Sequence, residues 1–143
     1  MSVGRICVRE VDIAERTESV LLAAQRMFDR DVGTLVVVDH GRRPVGLVTD
    51  RDIALRATAT GRDPTTIRVT EIMTVDPQTV TEDTPIETAL SLMRSAACRR
   101  LVVVDATGRL AGILSLDDVL GLLAEEFTTI GTLLERVAPQ RRS

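Results

Sequence analysis

Hydrophobic and polar positions along this chain follow one pattern that occurs twice. Gly46 corresponds to Gly112, so the two occurrences lie 66 residues apart (112 − 46). At that spacing residues 3–57 align with residues 69–123 without a gap, and the segment 35–39, Leu-Val-Val-Val-Asp, is identical to 101–105. Ungapped repetition over this length indicates a duplication in which each copy forms one supersecondary unit.

Each copy begins with an apolar lead-in, a short extended segment and then a helix. In the first copy residues 3–8 form the lead-in and residues 11–14 the extended segment. Apolar residues then recur at spacings of three and four, which predicts a helix over 19–30 with one buried face. That face consists of Val20, Ala23, Ala24 and Met27, and the second copy repeats it with Ile86, Ala89, Leu90 and Met93. Residues 84–87, Thr-Pro-Ile-Glu, predict a capping box with proline at the first helical position.

A pair of strands follows the helix in each copy. The aliphatic residues 35–38 are too few for a helix and too apolar for a surface strand, so they predict a central strand. Turn-forming residues at 39–41 and 105–108 then lead to second strands at 44–48 and 110–114. A connection of this length predicts a hairpin.

The second strand of each copy ends in a hydroxyl residue that is followed three positions later by an aspartate. These pairs are Thr49 with Asp52 and Ser115 with Asp118. The spacing predicts two capping boxes, because the hydroxyl accepts from a free N–H group of the first turn and the carboxylate accepts from the N–H of the cap. Capping alone is sufficient to explain either pair, so the pairs do not by themselves indicate a ligand.

A helical apolar stripe continues beyond the duplicated region towards Pro139. It consists of Leu120, Leu123, Ala124, Phe127, Ile130, Leu134 and Val137. We expect the tail either to fold over its own module or to pack on a second subunit. The predicted divisions are a first repeat at 1–60, a polar linker at 61–68, a second repeat at 69–126, and a C-terminal helix and tail at 127–143.

Composition and charge exclude several classes of protein. The 143 residues are 44% apolar and carry a net charge of −3 from interspersed acids and bases, which predicts a compact domain that binds neither nucleic acid nor an anionic membrane. No apolar run reaches the roughly 20 residues of a membrane span, and the N-terminus does not resemble a signal peptide, so we expect a cytoplasmic protein.

Candidate catalytic and metal-binding residues are few. Cys7 and Cys98 lie far apart without Cys/His clustering, and each occupies an apolar slot of the repeat, so we interpret both as core residues rather than zinc ligands. The single histidine, His40, lies in a turn. With no nucleophilic triad and no carboxylate pair at a suitable spacing, the sequence predicts neither an enzyme nor a metal site.

The order strand, helix, two strands, helix, ending in Gly-h-h-[Ser/Thr]-x-x-Asp and present twice, resembles a tandem pair of CBS (cystathionine β-synthase) domains. It is similar to the free-standing bacterial type, with residues 49–53, Thr-Asp-Arg-Asp-Ile, as the best local match. The resemblance implies an α+β fold in which two repeats pack sheet to sheet about a pseudo-twofold axis and form two equivalent clefts. It also implies a homodimer, and a possible adenosyl ligand (AMP, ADP, ATP, S-adenosylmethionine or NAD) with no required cofactor.

The helix starts offer a physical basis for such a ligand. Unpaired N–H groups and the helix dipole suit a phosphate, and Thr49 and Ser115 can add a hydroxyl donor there. Asp52 and Asp118 have acceptor capacity for the two hydroxyls of a ribose, in agreement with the roles that the resemblance implies.

The two predicted clefts differ in charge. Arg51 can meet a phosphate in the first copy, whereas its counterpart is Asp117. Arg99 and Arg100 enter a strand where the first copy has only Gly33 and Thr34, and the sequence leaves open which cleft they serve. Arg51 is also explained as a solvated first-turn residue, and the two later arginines as the end of a helix. The predicted ligand residues are therefore Thr34, Thr49, Arg51, Asp52, Arg99, Arg100, Ser115 and Asp118.

Two functions of different classes follow from the sequence. The first is a regulatory module that binds an adenine nucleotide or related adenosyl ligand and changes its dimer surface or a partner surface. The alternative is a CBS-pair scaffold without ligand that acts through dimerisation and docking to an unknown protein. Asp117 and Gly33 favour the scaffold. The residues that favour the ligand are Thr49, Arg51, Asp52 and Arg100.

Overall fold

The computed structural model describes residues 1–137, which fold into seven strands and four helices in an α+β arrangement. The strands are β1 (Ile13–Glu15), β2 (Thr34–Val38), β3 (Pro44–Thr49), β4 (Thr74–Val75), β5 (Thr79–Thr81), β6 (Arg100–Val104) and β7 (Leu110–Ser115). The helices are α1 (Val20–Arg30), α2 (Asp50–Asp52, continued by a π-helical segment, Ile53–Thr58), α3 (Ile86–Ala96) and α4 (Leu116–Val137). Two 3-10 turns, Val3–Arg5 and Val69–Glu71, lie in the lead-ins.

The strands form two sheets with the same connectivity. The first half of the molecule contains the sheet β1-β2-β3-β4 with α1 and α2, and the second half contains β5-β6-β7 with α3 and α4. In each half the first strand is parallel to the second, and the second and third form an antiparallel hairpin. The predicted strands and hairpins are confirmed.

Alternate side chains of β2 and β6 point to opposite faces of their sheets, and one of these faces packs against the other half. In β2, Leu35 and Val37 enter the core of the first half, whereas Val36 and Val38 face the other way. These two valines pack with Val102 and Leu110 of the second half in a core layer between the sheets. A strand that is apolar at every position is therefore buried on both faces, and the sheet-to-sheet packing implied by the resemblance is confirmed.

The two halves exchange their lead-in segments. Val3 is fully buried in the core of the second half, whereas Val69 and Ile72 are buried in the core of the first. The backbone of Val8 pairs with Ile113 of β7. Its equivalent 66 residues later, Thr74, pairs with Leu47 of β3. Each half is therefore completed by the beginning of the other copy, which the sequence did not predict.

Contacts between the hairpin turns follow the same symmetry. The Arg43 Nη2 atom donates to the Thr107 carbonyl at 3.4 Å, and the Arg109 Nε atom donates to the Gly41 carbonyl at 3.1 Å. Arg43 corresponds to Arg109 and Gly41 to Thr107 at the spacing of 66, so each half makes the same contact to the other. This reciprocity is the signature of the pseudo-twofold axis.

The predicted capping box at the start of α3 is wrong. Pro85 is the N-cap residue and Ile86 the first helical residue. The Thr84 hydroxyl is turned back and accepts from the N–H of Thr81 at 3.1 Å. A threonine that closes the preceding turn is not available to cap the helix.

Helix α4 extends well beyond the second repeat. It runs without a break for 22 residues from Leu116, past the predicted boundary at residue 126. Only Val119 is buried, and the apolar stripe beyond it is exposed. The tail therefore does not fold over its own module as far as Val137, and the predicted tail at residues 138–143 lies outside the described residues.

We expect Gly112→Ala to destabilise the protein by about 1–3 kcal/mol. A Cβ at Gly112 would lie 2.8 Å from the Val8 carbonyl oxygen and 3.2 Å from the Cys7 Sγ atom, so the exchanged lead-in would have to move. The matched control is Gly121→Ala in α4, where no atom lies within 4 Å of the added carbon. That change should be neutral or stabilising by about 0.5–1 kcal/mol because alanine is the better helix former. Urea denaturation measures both, and equal effects would contradict the close approach.

Candidate functional site

The two helix starts adopt the same geometry. At the first, the N–H of Asp52 donates to the Thr49 hydroxyl at 3.1 Å, and the N–H of Thr49 donates to Asp52 Oδ2 at 2.9 Å. At the second, Ser115 and Asp118 make the same two bonds at 3.1 and 2.9 Å. Both predicted capping boxes are confirmed. We call the surroundings of Thr49 and Asp52 the first corner, and those of Ser115 and Asp118 the second corner.

Arg56 faces the carboxylate of the first corner. Its Nε atom lies 3.8 Å from Asp52 Oδ1, and its Nη1 atom donates to the Ile72 carbonyl at 3.0 Å. The arginine thereby joins the carboxylate to the exchanged lead-in of the second copy. The oxygen that would receive a ribose hydroxyl is thus already close to a cation.

A second carboxylate makes the first corner more acidic. A Cβ at Gly33 would lie 2.9 Å from Asp50 Oδ2, so the absence of a side chain there admits the Asp50 carboxylate. Thr34 lies opposite Thr49 in the β2–β3 register, and its hydroxyl oxygen is buried without a hydrogen-bond partner among residues 1–137. Arg51 is exposed, its backbone N–H donates to Asp50 Oδ1, and its side chain makes no hydrogen bond within that range.

The second corner holds both later arginines. Arg100 lies opposite Ser115 in the β6–β7 register, and the Arg99 carbonyl accepts from the N–H of Leu116 at 2.8 Å. The Arg99 Nη2 atom lies 3.7 Å from Asp117 Oδ1, so the acid that made this corner doubtful faces a cation. Both side chains of this pair are largely exposed, so the pair contributes little to stability.

The Asp118 carboxylate keeps an open acceptor. The position that corresponds to Arg56 is Leu122, which carries no charge. In the described part of the chain, Asp118 Oδ1 has no hydrogen-bond donor. The second corner therefore combines a capped 22-residue helix, two arginines and a carboxylate oxygen that can accept.

Cys7 also belongs to the second corner, and the sequence interpretation missed this. The exchanged lead-in brings its Sγ atom against Gly112. Burial raises the pKa of the Cys7 thiol more than the nearby Arg9 lowers it, and the carboxylates of Glu82 and, more weakly, Asp118 also raise it, so the group is a neutral thiol at pH 7. No sequence pattern predicts this position, because the same residue packs equally well as a core residue of either half.

Two hollows lie elsewhere on the molecule. One, of about 490 Å³, lies at the C-terminal ends of β1 and β2, which we call the far ends, and His40 is one of its lining residues. The other, of about 430 Å³, is lined by seven residues between positions 11 and 30, among them the ion pairs Arg26–Glu18 and Arg30–Asp12. None of the eight predicted ligand residues lines either hollow.

Residues 1–137 offer neither a metal-binding cluster nor a membrane-spanning helix. No group of three or more His, Cys, Asp or Glu residues there is arranged to hold a metal ion. None of the helices in that range combines the length and the apolar character needed to cross a membrane.

Comparison with known proteins identifies both copies. The family model described as the CBS domain matches residues 3–57 and again residues 69–125. The CBS domain-containing protein YhcV of Bacillus subtilis is 36% identical over 118 residues, which are 82% of this chain and 82% of that protein.

A second relative and a solved structure also match this chain. The uncharacterised protein MK0525 of Methanopyrus kandleri is 32% identical over 120 residues, which are 84% of this chain but only 61% of that protein. This chain thus spans about three fifths of the length of that relative. The CBS domain pair of protein MJ0100, solved in complex with 5-methylthioadenosine and S-adenosyl-L-methionine, superposes with a TM-score of 0.77 at 28% identity, covering 86% of this chain and 99% of that chain.

Proposed function

The chain belongs to the CBS-domain family as a tandem pair, and from this premise we propose that it is a regulatory module that binds an adenosyl compound at the second corner. The activity is binding rather than catalysis. The bound compound reports metabolic state by altering a surface used by a second copy or by a protein partner. Both cysteines are free thiols, which fits action in the reducing cytoplasm.

The observation that carries this proposal is the open Asp118 carboxylate beside two arginines at the start of α4. An ionised carboxylate can accept from both hydroxyls of a ribose, and α4 is long enough to present a full helix dipole to an anion. Arg100, opposite Ser115, supplies a charge-assisted donor for a phosphate or a carboxylate. The first corner is the weaker candidate because Arg56 already faces Asp52 and because Asp50 adds negative charge.

The ligand class follows from the groups at this corner. AMP, ADP, ATP, NAD and S-adenosylmethionine all present a ribose diol to the carboxylate. They differ in the anionic group available to Arg99 and Arg100, which is a phosphate in the nucleotides and a carboxylate in S-adenosylmethionine. The adenosyl ligands of the MJ0100 CBS pair support this class.

The experiment is a thermal melt with each of the five compounds at millimolar concentration. A ligand that is held at 100 times its dissociation constant adds about 2.7 kcal/mol of stability, which shifts the midpoint of a domain of this size by several degrees. Asp118→Ala should abolish the shift, whereas Asp52→Ala should retain it. The two variants are comparable, because each removes the carboxylate half of a capping box and retains the hydroxyl half.

The outcomes separate the corners and the functions. A shift that is lost only in Asp52→Ala would move the site to the first corner. No shift with any of the five compounds would contradict adenosyl binding and leave the scaffold as the function.

The scaffold is a second candidate because α4 carries an exposed apolar seam. We define this seam as Leu120, Leu123, Phe127, Ile130, Leu134 and Val137, each between 44% and 68% exposed. Their spacings are 3, 4, 3, 4 and 3, a repeat of 3.5 residues. That period is typical of a helix that packs along another helix in a left-handed coiled coil.

We infer that the seam is covered by a second copy of this chain, which makes the protein a homodimer. The six side chains together with Leu133, which is 57% exposed, form one continuous apolar face on the helix, and a large exposed apolar patch marks a protein–protein interaction surface. Ala124 and Gly131, seven residues apart beside the seam, allow a second helix to approach closely. If Leu120 and Leu123 take heptad positions a and d, the flanking e and g positions are residues 124, 126, 131 and 133. Glu126 is the one charged residue among them, so two identical seams meet with little repulsion.

A further inference from the structure

The hollow at the far ends of β1 and β2 has features that neither corner explains. Its volume of about 490 Å³ is that of a small-molecule site. Ile13 and Val38 give it an apolar wall, and Thr17 and Thr70 add hydroxyl groups. Three arginines, Arg16, Arg42 and Arg68, line it together with Glu15, Asp39 and His40.

The arginines occur in one half only, although the frame around them is duplicated. The positions that correspond to Arg16, Arg42 and Arg68 carry Glu82, Gly108 and Ser2. Those that correspond to Thr17, His40 and Thr70 carry Asp83, Ala106 and Gly4. Since the second half folds with none of these cations, the fold itself does not require them.

The backbone at Arg42 gives a second, independent indication. Its φ is +60°, in the left-handed region that disfavours a side chain, whereas its counterpart Gly108 meets the same demand at +84°. The Arg42 N–H donates to the Asp39 carbonyl, and its carbonyl accepts from the N–H of Leu110 at 2.9 Å. An arginine is thus held where glycine would cost less, and such local strain is typical of functional positions.

The charges at the hollow favour an anion. In residues 1–137 none of the three arginines has a carboxylate within 4.0 Å, and Arg68 is fixed by a hydrogen bond from Nη1 to the Thr17 carbonyl at 2.6 Å. Two carboxylates oppose them, and one of these, Asp39, already accepts from the N–H groups of Gly41 and Arg43 through Oδ1. Three cations against Glu15 and Asp39 leave an excess of one positive charge in a chain whose net charge is −3.

We propose that this hollow is a second binding site, which takes a small organic oxyanion with a short apolar chain. The guanidinium groups of Arg16, Arg42 and Arg68 bind the carboxylate or phosphate, because their planar forks match either group. The apolar chain lies on Ile13 and Val38. The site is independent of the adenosyl site, with which it shares no residue.

The test is isothermal titration calorimetry with butyl phosphate, butanoate and inorganic phosphate at constant ionic strength. Butyl phosphate or butanoate should bind more tightly than inorganic phosphate, and the comparison of the first two identifies the preferred anion. Arg16→Gln and Arg42→Gly should each weaken that binding about tenfold, the loss expected for one charge-assisted contact. Arg42→Gly installs the residue of the other half, so its midpoint without ligand should be unchanged or higher.

Two controls keep the result specific. Arg94→Gln removes an exposed arginine from α3 and should bind as the wild type does. Asp118→Ala should also retain oxyanion binding, so failure of the adenosyl proposal and failure of this one are distinguishable. No measurable heat with any probe, or equal weakening in Arg94→Gln, would overturn the proposal.

Discussion

Replacing Val3 with aspartate is expected to open the second half of the molecule, although Val3 belongs by sequence to the first copy. Val3 is 0% exposed and packs in the core of the second half, with Val80 and Leu114 among the residues of that core. A carboxylate placed there has no partner, and an uncompensated buried charge costs about 3–5 kcal/mol. The carboxyl escapes this cost by taking up a proton or by expelling the lead-in from the second half.

Native-state hydrogen exchange measures which half opens. In Val3→Asp the amides of β6 and β7 should lose protection before those of β2 and β3. Val69→Asp, the symmetric change, should give the reverse order, because Val69 is buried in the first half. Val8→Asp is the control within the same lead-in, since Val8 is 45% exposed and pairs through its backbone. The same order of opening in both aspartate variants, or the reverse of these orders, would contradict the exchange.

The exchange marks the limit of what the hydrophobic pattern predicts. The period of apolar residues predicted α1, the buried strands and both hairpins, because those depend on which face of one element is apolar. The lead-ins are different. Val3 and Ile6 present the same pattern as Val69 and Ile72, so the cores of the two halves accept either segment. Only the three-dimensional path of the chain decides between them.

The same distinction between local and tertiary contacts applies to the candidate sites. The capping boxes were predictable because their hydrogen bonds join residues three positions apart. The position of Arg100 beside Ser115 depends on the hairpin register, which places the first residue of one strand opposite the last residue of the other. The contact of Asp50 with Gly33 and that of Arg56 with the exchanged lead-in depend on tertiary packing, and no local pattern predicts them.

The charges at the two corners also depend on tertiary packing. The sequence predicts that Arg51 can meet a phosphate at the first corner and that Asp117 weakens the second, and it also explains Arg51 as a solvated first-turn residue. In the structure Arg51 is exposed, and the Asp117 carboxylate faces Arg99 at 3.7 Å. Counting charges along a chain assigns each to its nearest neighbours in sequence, whereas the field at a ligand is set by the charges nearest in space.

The largest expected effect is on the seam of α4. Changing Phe127 and Ile130 together to glutamate should weaken self-association more than 100-fold, because each loses the burial of a large side chain, worth about 1.5–3 kcal/mol, and adds a charge that would face its own copy. Phe127 is 68% exposed and lies at the middle of the seam. Sedimentation equilibrium over a range of protein concentrations measures the change as a shift from dimer to monomer mass.

The control variant changes Thr129 and Thr132 to glutamate on the opposite side of the same helix. In the described structure their hydroxyls donate only to the carbonyls of Glu125 and Thr128, one turn earlier in α4. The control therefore adds the same charge and retains the helix, and it should remain dimeric. A wild-type protein that sediments as a monomer would exclude a second copy as the occupant of the seam, and equal dissociation of the two variants would show that added charge, not the apolar seam, governs association. Suppose that only the Phe127 and Ile130 variant dissociates and that it still binds an adenosyl compound. Dimerisation is then not required for ligand binding, although both sites lie on the same 22-residue helix α4.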